Sequence, residues 1–128
     1  MHPAYFETRF RIDHALDSWP VNFAIITAYT TTGECWTESE NSLADAELEQ
    51  VLRGRGVEPS RIAGYSPSTG HEERGWACSL SVHDAFEIGM QFRQDAIYVV
   101  VNSMLYVTYC DQRRKLVPVA PFVDRLDP

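Results

Sequence analysis

Lysine, cysteine and long apolar runs are all scarce in this chain of 128 residues, and each shortage removes a class of function. The three cysteines, Cys35, Cys78 and Cys110, show no Cys-x-x-Cys spacing and no histidine pair beside them. That pattern fits neither a disulfide framework nor a zinc site, so a reducing, cytoplasmic setting is expected. Of the 11 basic residues one is lysine, and the only basic run is Arg113-Arg114-Lys115, against a net charge of −7. Nucleic acids and anionic membranes are held by basic patches, so this balance argues against both. The longest apolar run, residues 96–101, is far short of a membrane span, and "MHPAYFETRF" lacks the basic and apolar regions of a signal peptide. There is no phosphate-binding glycine loop, no dinucleotide fingerprint and no nucleophile elbow. His2, His14 and His83 have no mutual spacing that would make a ligand set, so no metal and no cofactor is expected.

What is present is ordinary globular material. With 45% hydrophobic and 23% charged residues the chain supports one core and not two, so a single domain over residues 1–128 is expected. "YFETRFRI" alternates as a half-buried strand, with Phe6, Thr8, Phe10 and Ile12 on one side. "FAIITAY", 23–29, is apolar almost throughout and reads as a central strand covered on both faces. Thr37 and Glu40 then form a capping box, and Ala44, Leu48, Val51 and Leu52 repeat at helical spacing until Gly54 and Gly56 stop the helix. "RIAGYS" and "GWACSL" read as two further strands. Ser81 with Asp84 caps a second helix, residues 81–93, whose apolar stripe is Val82, Ala85, Phe86, Gly89 and Met90. A glycine inside that stripe costs about 1 kcal/mol against alanine, so it points to close approach of helix and sheet. "AIYVVV" and "LYVTY" close as a hairpin. The stretch 111–128, rich in proline, is expected to be an irregular tail.

Strand, strand, helix, strand, strand, helix, strand, strand is the resulting order. It predicts an α+β domain: a mainly antiparallel sheet with both helices on one face, built on a ferredoxin-like βαββαβ core with extra N-terminal and C-terminal strands. A single helical layer leaves the other sheet face, expected to carry Tyr106 and Thr108, to be hidden, which suggests a homodimer through that face or a sheet edge.

The polar residues that stand out gather around "GYSPSTGHEERGWA". His71 and Glu73 share one side of an extended segment, so an imidazole and a carboxylate can meet in one concavity and support acid–base work. Glu73 is expected to be partly buried and hydrogen-bonded, with Glu72 and Arg74 in solvent. Asn41 lies in the first turn of the first helix on its inward side, and Gln94 ends the second helix before a strand; local capping and helix-to-sheet bonding explain both without a ligand. With Thr27 and Ser66 these complete the candidates for ligand binding. Cys35 has acidic neighbours that disfavour a reactive thiolate, and Trp36 and Trp76 read as core.

Three segments, "ITAYTTTGECWTESEN", "GYSPSTGHEERGWA" and "AFEIGMQFRQDAIYVV", resemble the bacterial family known as domain of unknown function 3293. The shared pattern is Thr-Ala, a turn ending in Gly, Glu-Asn opening a helix, Gly-x-Ser-Pro, His-x-Glu-x-Gly-aromatic and Phe-x-Gln-x-Ala-Ile, over about residues 23–110. Where the pattern has Asn-Pro in the first loop this chain has Thr30-Thr31, so a role for that asparagine does not carry over. The resemblance implies no activity. With no complete catalytic set in the sequence, a non-catalytic ligand-binding or regulatory module, binding a small molecule or a protein, is the leading reading. An enzyme using His71 and Glu73, with Asn41 and Gln94 positioning substrate, is the alternative, and single-stranded nucleic-acid binding on an open sheet face with Tyr98, Tyr106 and Tyr109 ranks last.

Overall fold

The computed structural model describes residues 3–13, 19–29, 37–111 and 113–128. Thr30, Thr31, Cys35, Trp36, His2 and His14 lie outside them.

The strands are β1 (Arg9–Ile12), β2 (Phe23–Thr27), β3 (Ser60–Tyr65), β4 (Glu72–Cys78), β5 (Ala96–Val101), β6 (Met104–Tyr109) and β7 (Leu116–Pro121). They form one sheet in the order β1-β3-β4-β2-β5-β6-β7, antiparallel at every junction, with β2 in the middle. Helix α1 (Glu38–Gly54) follows β2, and α2 (Val82–Gln91) follows β4. Short 3-10 turns lie at Pro3–Phe6 and Phe122–Arg125.

Local chemistry sets the helix limits. The Thr37 hydroxyl accepts from the Glu40 N–H at 3.1 Å, and Glu40 Oε1 accepts from the Thr37 N–H at 3.1 Å, which satisfies two donors that the first turn leaves open. Beyond Gly54 the chain leaves α1 through Gly56 at φ +79°, a conformation glycine adopts without steric cost. Ser81 caps α2 by accepting from the Asp84 N–H at 3.1 Å. At Asn102 and Ser103 both φ values are positive, as the two-residue turn between β5 and β6 requires.

Both helices cover the same face. Leu48 and Leu52 of α1 and Ala85 and Ile88 of α2 are buried with Ala24, Ile26, Trp76, Ile97 and Val99. A Cβ on Gly89 would lie 2.6 Å from Cys110 Sγ and 3.0 Å from Ile97 Cγ2, so α2 sits against the sheet at a distance only glycine permits. The stripe of α2 differs from the sequence expectation at two places: Ile88 is fully buried, whereas Met90 is 41% exposed. Arg61 on β3 pins α1 by a two-pronged bond to buried Asp45, at 2.7 and 2.8 Å, with its guanidinium 3.8 Å above the Trp76 ring. A carboxylate one turn before Leu48 on the inward side of α1 was the sequence signal for this tie.

The opposite face is not open. Phe10, Phe23, Ile25, Ile62, Val100, Leu105 and Phe122 form a second buried cluster, with Trp19 stacked on Phe23 at 5.2 Å and Phe122 edge-on to Phe23 at 5.1 Å. Thr108 is fully buried and Tyr106 packs in the helix-side cluster, so both lie on the face opposite to the one expected. Parity in β6 is fixed by its pairing with β5, where Tyr98 faces Val107, and a single-strand pattern that is apolar on both sides gives no such register.

Two boundaries also change. Residues 111–128 are not an irregular tail: Leu116–Pro121 is strand β7, and Pro118 and Pro121 are accommodated because it lies at the sheet's edge. The N-terminal strand is shorter than its alternation suggests. Pro3–Phe6 turns instead, with the Thr8 hydroxyl donating to the Ala4 carbonyl at 3.0 Å, a side-chain bond that competes with extended pairing.

Candidate functional site

One end of the sheet collects the polar residues that the sequence singles out. Because β2 runs antiparallel to β4 and β5, the end of β2 at Thr27 meets the start of β4 and the start of β5. The connections from β3 into β4 and from α2 into β5 pass there, and α1, whose far end leads to the other end of β3, begins there. Thr27, Asn41, Ser66, His71, Glu73 and Gln94 therefore share this end, where loops are held by a rigid scaffold.

Gln94 is fully engaged. Its Nε2 donates to the Tyr29 carbonyl at 2.8 Å and the Phe92 carbonyl at 3.2 Å, and its Oε1 accepts from the Thr27 hydroxyl at 3.2 Å. The amide ties the end of α2 to β2, the structural use expected of it. Asn41 is half-buried in the first turn of α1, its N–H bonded to the Thr37 carbonyl at 3.0 Å. Ser66 is buried and donates to Glu7, a residue that sequence reasoning missed; the Ser68 hydroxyl also donates to Glu7 and lies 3.2 Å from Ser66 Oγ. The turn after Ser66 closes through Gly70 N–H to the Ser66 carbonyl at 2.8 Å and Ser66 N–H to the His71 carbonyl at 2.9 Å.

His71 and Glu73 are brought together as expected, Nε2 to Oε2 at 3.8 Å, with the imidazole 71% exposed and the carboxylate 32% exposed. Glu72 and Arg74 point the other way, into exposed pairs with Arg11 at 2.9 Å and Asp13 at 3.1 Å. Alternation along β4 thus sorts the charges as the sequence implies.

The expected hydrogen bond to Glu73 is not there. Among the described residues its carboxylate has only the His71 ring within ion-pair distance. Opposite it across β3 stands Gly64, and two residues further along stands Gly75, where a Cβ would meet the Ile26 carbonyl at 2.4 Å. Neither neighbour offers a side chain to bond it, and the carboxylate, still partly open to solvent, has no hydrogen bond among the described residues. Burial pushes the Glu73 carboxyl above the usual glutamate range, and His71 only partly opposes the rise. Beneath the turn Pro3–Phe6, Tyr98 donates to the Tyr5 carbonyl at 2.7 Å and lies 2.8 Å from Thr8 Oγ1; burial pushes its phenol, and that of Tyr5, up as well.

The hydroxyls next to this pair are engaged elsewhere: Ser66 and Ser68 donate to Glu7, and Thr69 Oγ1 accepts from the His71 N–H at 3.2 Å. Cys78 is buried and Cys110 half-buried, and each thiol is pushed up to about 12, far from a reactive thiolate. Nor do the described residues form an open aromatic platform: Tyr98 lies within the sheet's covered face, edge-on to Phe10 at 5.3 Å, and Arg113 covers Tyr109 at 3.6 Å. The ligand atoms of His83, Asp84 and Glu87 come within 4.8 Å of one another on the surface of α2. Arg114 lies 3.1 Å from His83 Nδ1 and Arg55 lies 3.6 Å from Asp84, so cationic side chains already neutralise that group.

Among protein families, the model of the one described as Protein of unknown function (DUF3293) matches residues 26–97. That span runs from the end of β2 to the start of β5 and contains all six candidate residues. No curated protein and no solved structure matches the chain.

Proposed function

The chain belongs to the DUF3293 family, to which no activity is attached, and from its own geometry we propose that it is a non-catalytic ligand-binding or regulatory module whose ligand meets Glu73 at the polar end of the sheet. The observation that carries this reading is the Glu73 carboxylate, partly desolvated and without a hydrogen bond among the described residues, beside an exposed imidazole at 3.8 Å. A structural role would have bonded it, and a perturbed carboxylate kept at a cost to stability is a mark of a site. A ligand bearing a cationic or N–H donor group is the chemistry that such a carboxylate accepts. Catalysis by His71 and Glu73 is less well supported, since the Gln94 amide assigned to substrate is spent on Thr27, Tyr29 and Phe92.

The same reading includes a ferredoxin-like core, supported by the order β3-β4-β2-β5 around two helices on one face. It also includes a cytoplasmic location and a homodimer through a sheet edge, since the sheet face that was expected to need hiding is covered within the chain. No helix among the described residues is long and apolar enough to cross a membrane.

A thermal-shift screen of small amines and N–H donors, run on the wild type and on Glu73→Gln, tests the proposal. Ligands that raise the Tm of the wild type and not of the variant are expected. Turnover of any of these compounds, abolished by His71→Ala, would replace the binding reading with the enzymatic one.

A further inference from the structure

The strand pairing shows which residues share a face with Glu73. Glu73, Gly75 and Ala77 alternate onto one side of β4. Ala77 pairs with Ile25 of β2, Ile25 pairs with Tyr98 of β5, and Ala96, two residues before Tyr98, pairs with Tyr109 of β6. Glu73, Tyr98 and Tyr109 therefore stand on the same face, the one covered by irregular chain. The turn Pro3–Phe6 is tied down over it: the Tyr98 hydroxyl donates to the Tyr5 carbonyl at 2.7 Å, and the Thr8 hydroxyl to the Ala4 carbonyl at 3.0 Å.

Tyr5 is half-buried in this cover. Burial first, then the nearby charges of Asp95 and Glu73, push its phenol above the ordinary tyrosine range, and no hydrogen bond holds the hydroxyl among the described residues. Two groups that bear oxygen, the Glu73 carboxylate and the Tyr5 hydroxyl, thus lie close enough to feel each other while each lacks a hydrogen bond. The surroundings are anionic. His71 is exposed, and Arg125, the cation that acts on Tyr98, is engaged by the Phe6 and Thr8 carbonyls at 2.6 and 3.4 Å.

The kind of cation that fits follows from what is left open. A quaternary ammonium is held by bare ring faces. Here Arg113 covers Tyr109 at 3.6 Å, and Tyr98 packs edge-on to Phe10 at 5.3 Å. Unbonded oxygens call instead for N–H donors, and a donor that carries positive charge makes the stronger bond.

We propose that Tyr5 forms a second wall of the Glu73 site, and that the group bound between them is a cation with N–H donors, a guanidinium or a primary ammonium, donating to both the carboxylate and the phenol oxygen. This rests on the ligand-binding reading above and names the chemistry of its ligand.

The test titrates methylguanidinium, ethylammonium and tetramethylammonium chlorides, at matched ionic strength, into wild type, Tyr5→Phe and Glu73→Gln, with affinities read by two-dimensional NMR. The two cations with N–H donors should bind the wild type about tenfold more tightly than tetramethylammonium, and Tyr5→Phe should weaken them about tenfold. Glu73→Gln should abolish binding. In the wild type the Tyr5 and Glu73 resonances should shift together on titration, a readout that holds whether or not Tyr5→Phe folds. Tetramethylammonium bound as tightly as the other two would overturn the ligand class. Unchanged affinity in Tyr5→Phe, or wild-type Tyr5 resonances that stay still, would overturn the second wall. In either case loss of binding in Glu73→Gln leaves the carboxylate reading standing, whereas binding that survives Glu73→Gln, or none in wild type, would overturn both.

Discussion

The two faces of the sheet bury different chemistry because different kinds of chain cover them. On the helix side the buried residues are mostly small or aliphatic, Ala24, Ala28, Ala85, Ile26, Ile88, Ile97 and Val99, and Gly89 lets α2 lie against Cys110. On the other side large rings, Phe10, Phe23, Phe122 and the half-buried Trp19, fill the space under a cover of turns and loop. Regular helices present a continuous ridge that small residues can meet closely. Irregular chain cannot, and it must bring its own backbone polar groups, which have to be bonded. That is why Tyr98, Thr8, Ser66 and Glu7 lie beneath the irregular cover, and why the one carboxylate there without a hydrogen bond among the described residues, Glu73, is informative.

The largest effect should come from removing the plug of the irregular side. Phe122→Ala is expected to cost about 3–4 kcal/mol by urea denaturation, the usual loss for a buried phenylalanine. A loss below about 1 kcal/mol would mean that this side is a loose cover and not a second core. On the helix side Gly89→Ala should cost about 1–3 kcal/mol through overpacking against Cys110 and Ile97, although alanine is the better helix former. A stabilised variant would show that α2 has room to shift, which removes the contrast between the faces. Asp127→Ala should cost about 1 kcal/mol through the lost bonds to Tyr65 and Arg9. The hydrogen bond from Tyr65, then that from Arg9, holds the Asp127 carboxyl below the usual aspartate range. Its contribution is therefore present above about pH 3.9 and fades as the pH falls through the lowered value. Wild type and variant should converge in acid, as seen in melts taken across pH 2–6.

What was legible in the sequence was local or periodic. The capping box at Thr37 and Glu40, the glycine within the α2 stripe, the central place of β2 and the outward turn of Glu72 and Arg74 each follow from neighbours within a few residues. What was not legible depended on which distant strand lies alongside. Thr108 and Tyr106 were placed on the wrong face because β6 is apolar on both sides and only its pairing with β5 sets its parity. Leu116–Pro121 looked irregular because prolines forbid a central strand, and an edge cannot be recognised without knowing its neighbour. The six candidate residues were identified from motifs and do share one end of the sheet, but the state of Glu73 was misjudged. A hydrogen bond was expected there, but the residue facing it across the sheet is Gly64 and the next residue on its side of β4 is Gly75, and neither has a side chain to give one.

The most direct measurement of the central claim is the pH dependence of stability for Glu73→Gln against wild type, with Glu72→Gln as the exposed control. A carboxyl raised by desolvation is comfortable while protonated and becomes a burden as it ionises. Wild type should therefore match the variant below about pH 4 and fall behind it as the pH rises through the ordinary glutamate value of about 4.3 and on through the raised one. By pH 7 the variant should be ahead, by a small margin because the side chain is not fully excluded from water. Glu72→Gln should track the wild type closely. A Glu73→Gln protein less stable than wild type at pH 7 would contradict the account, since it would mean that the ionised carboxylate is bonded within the fold and not held for a ligand.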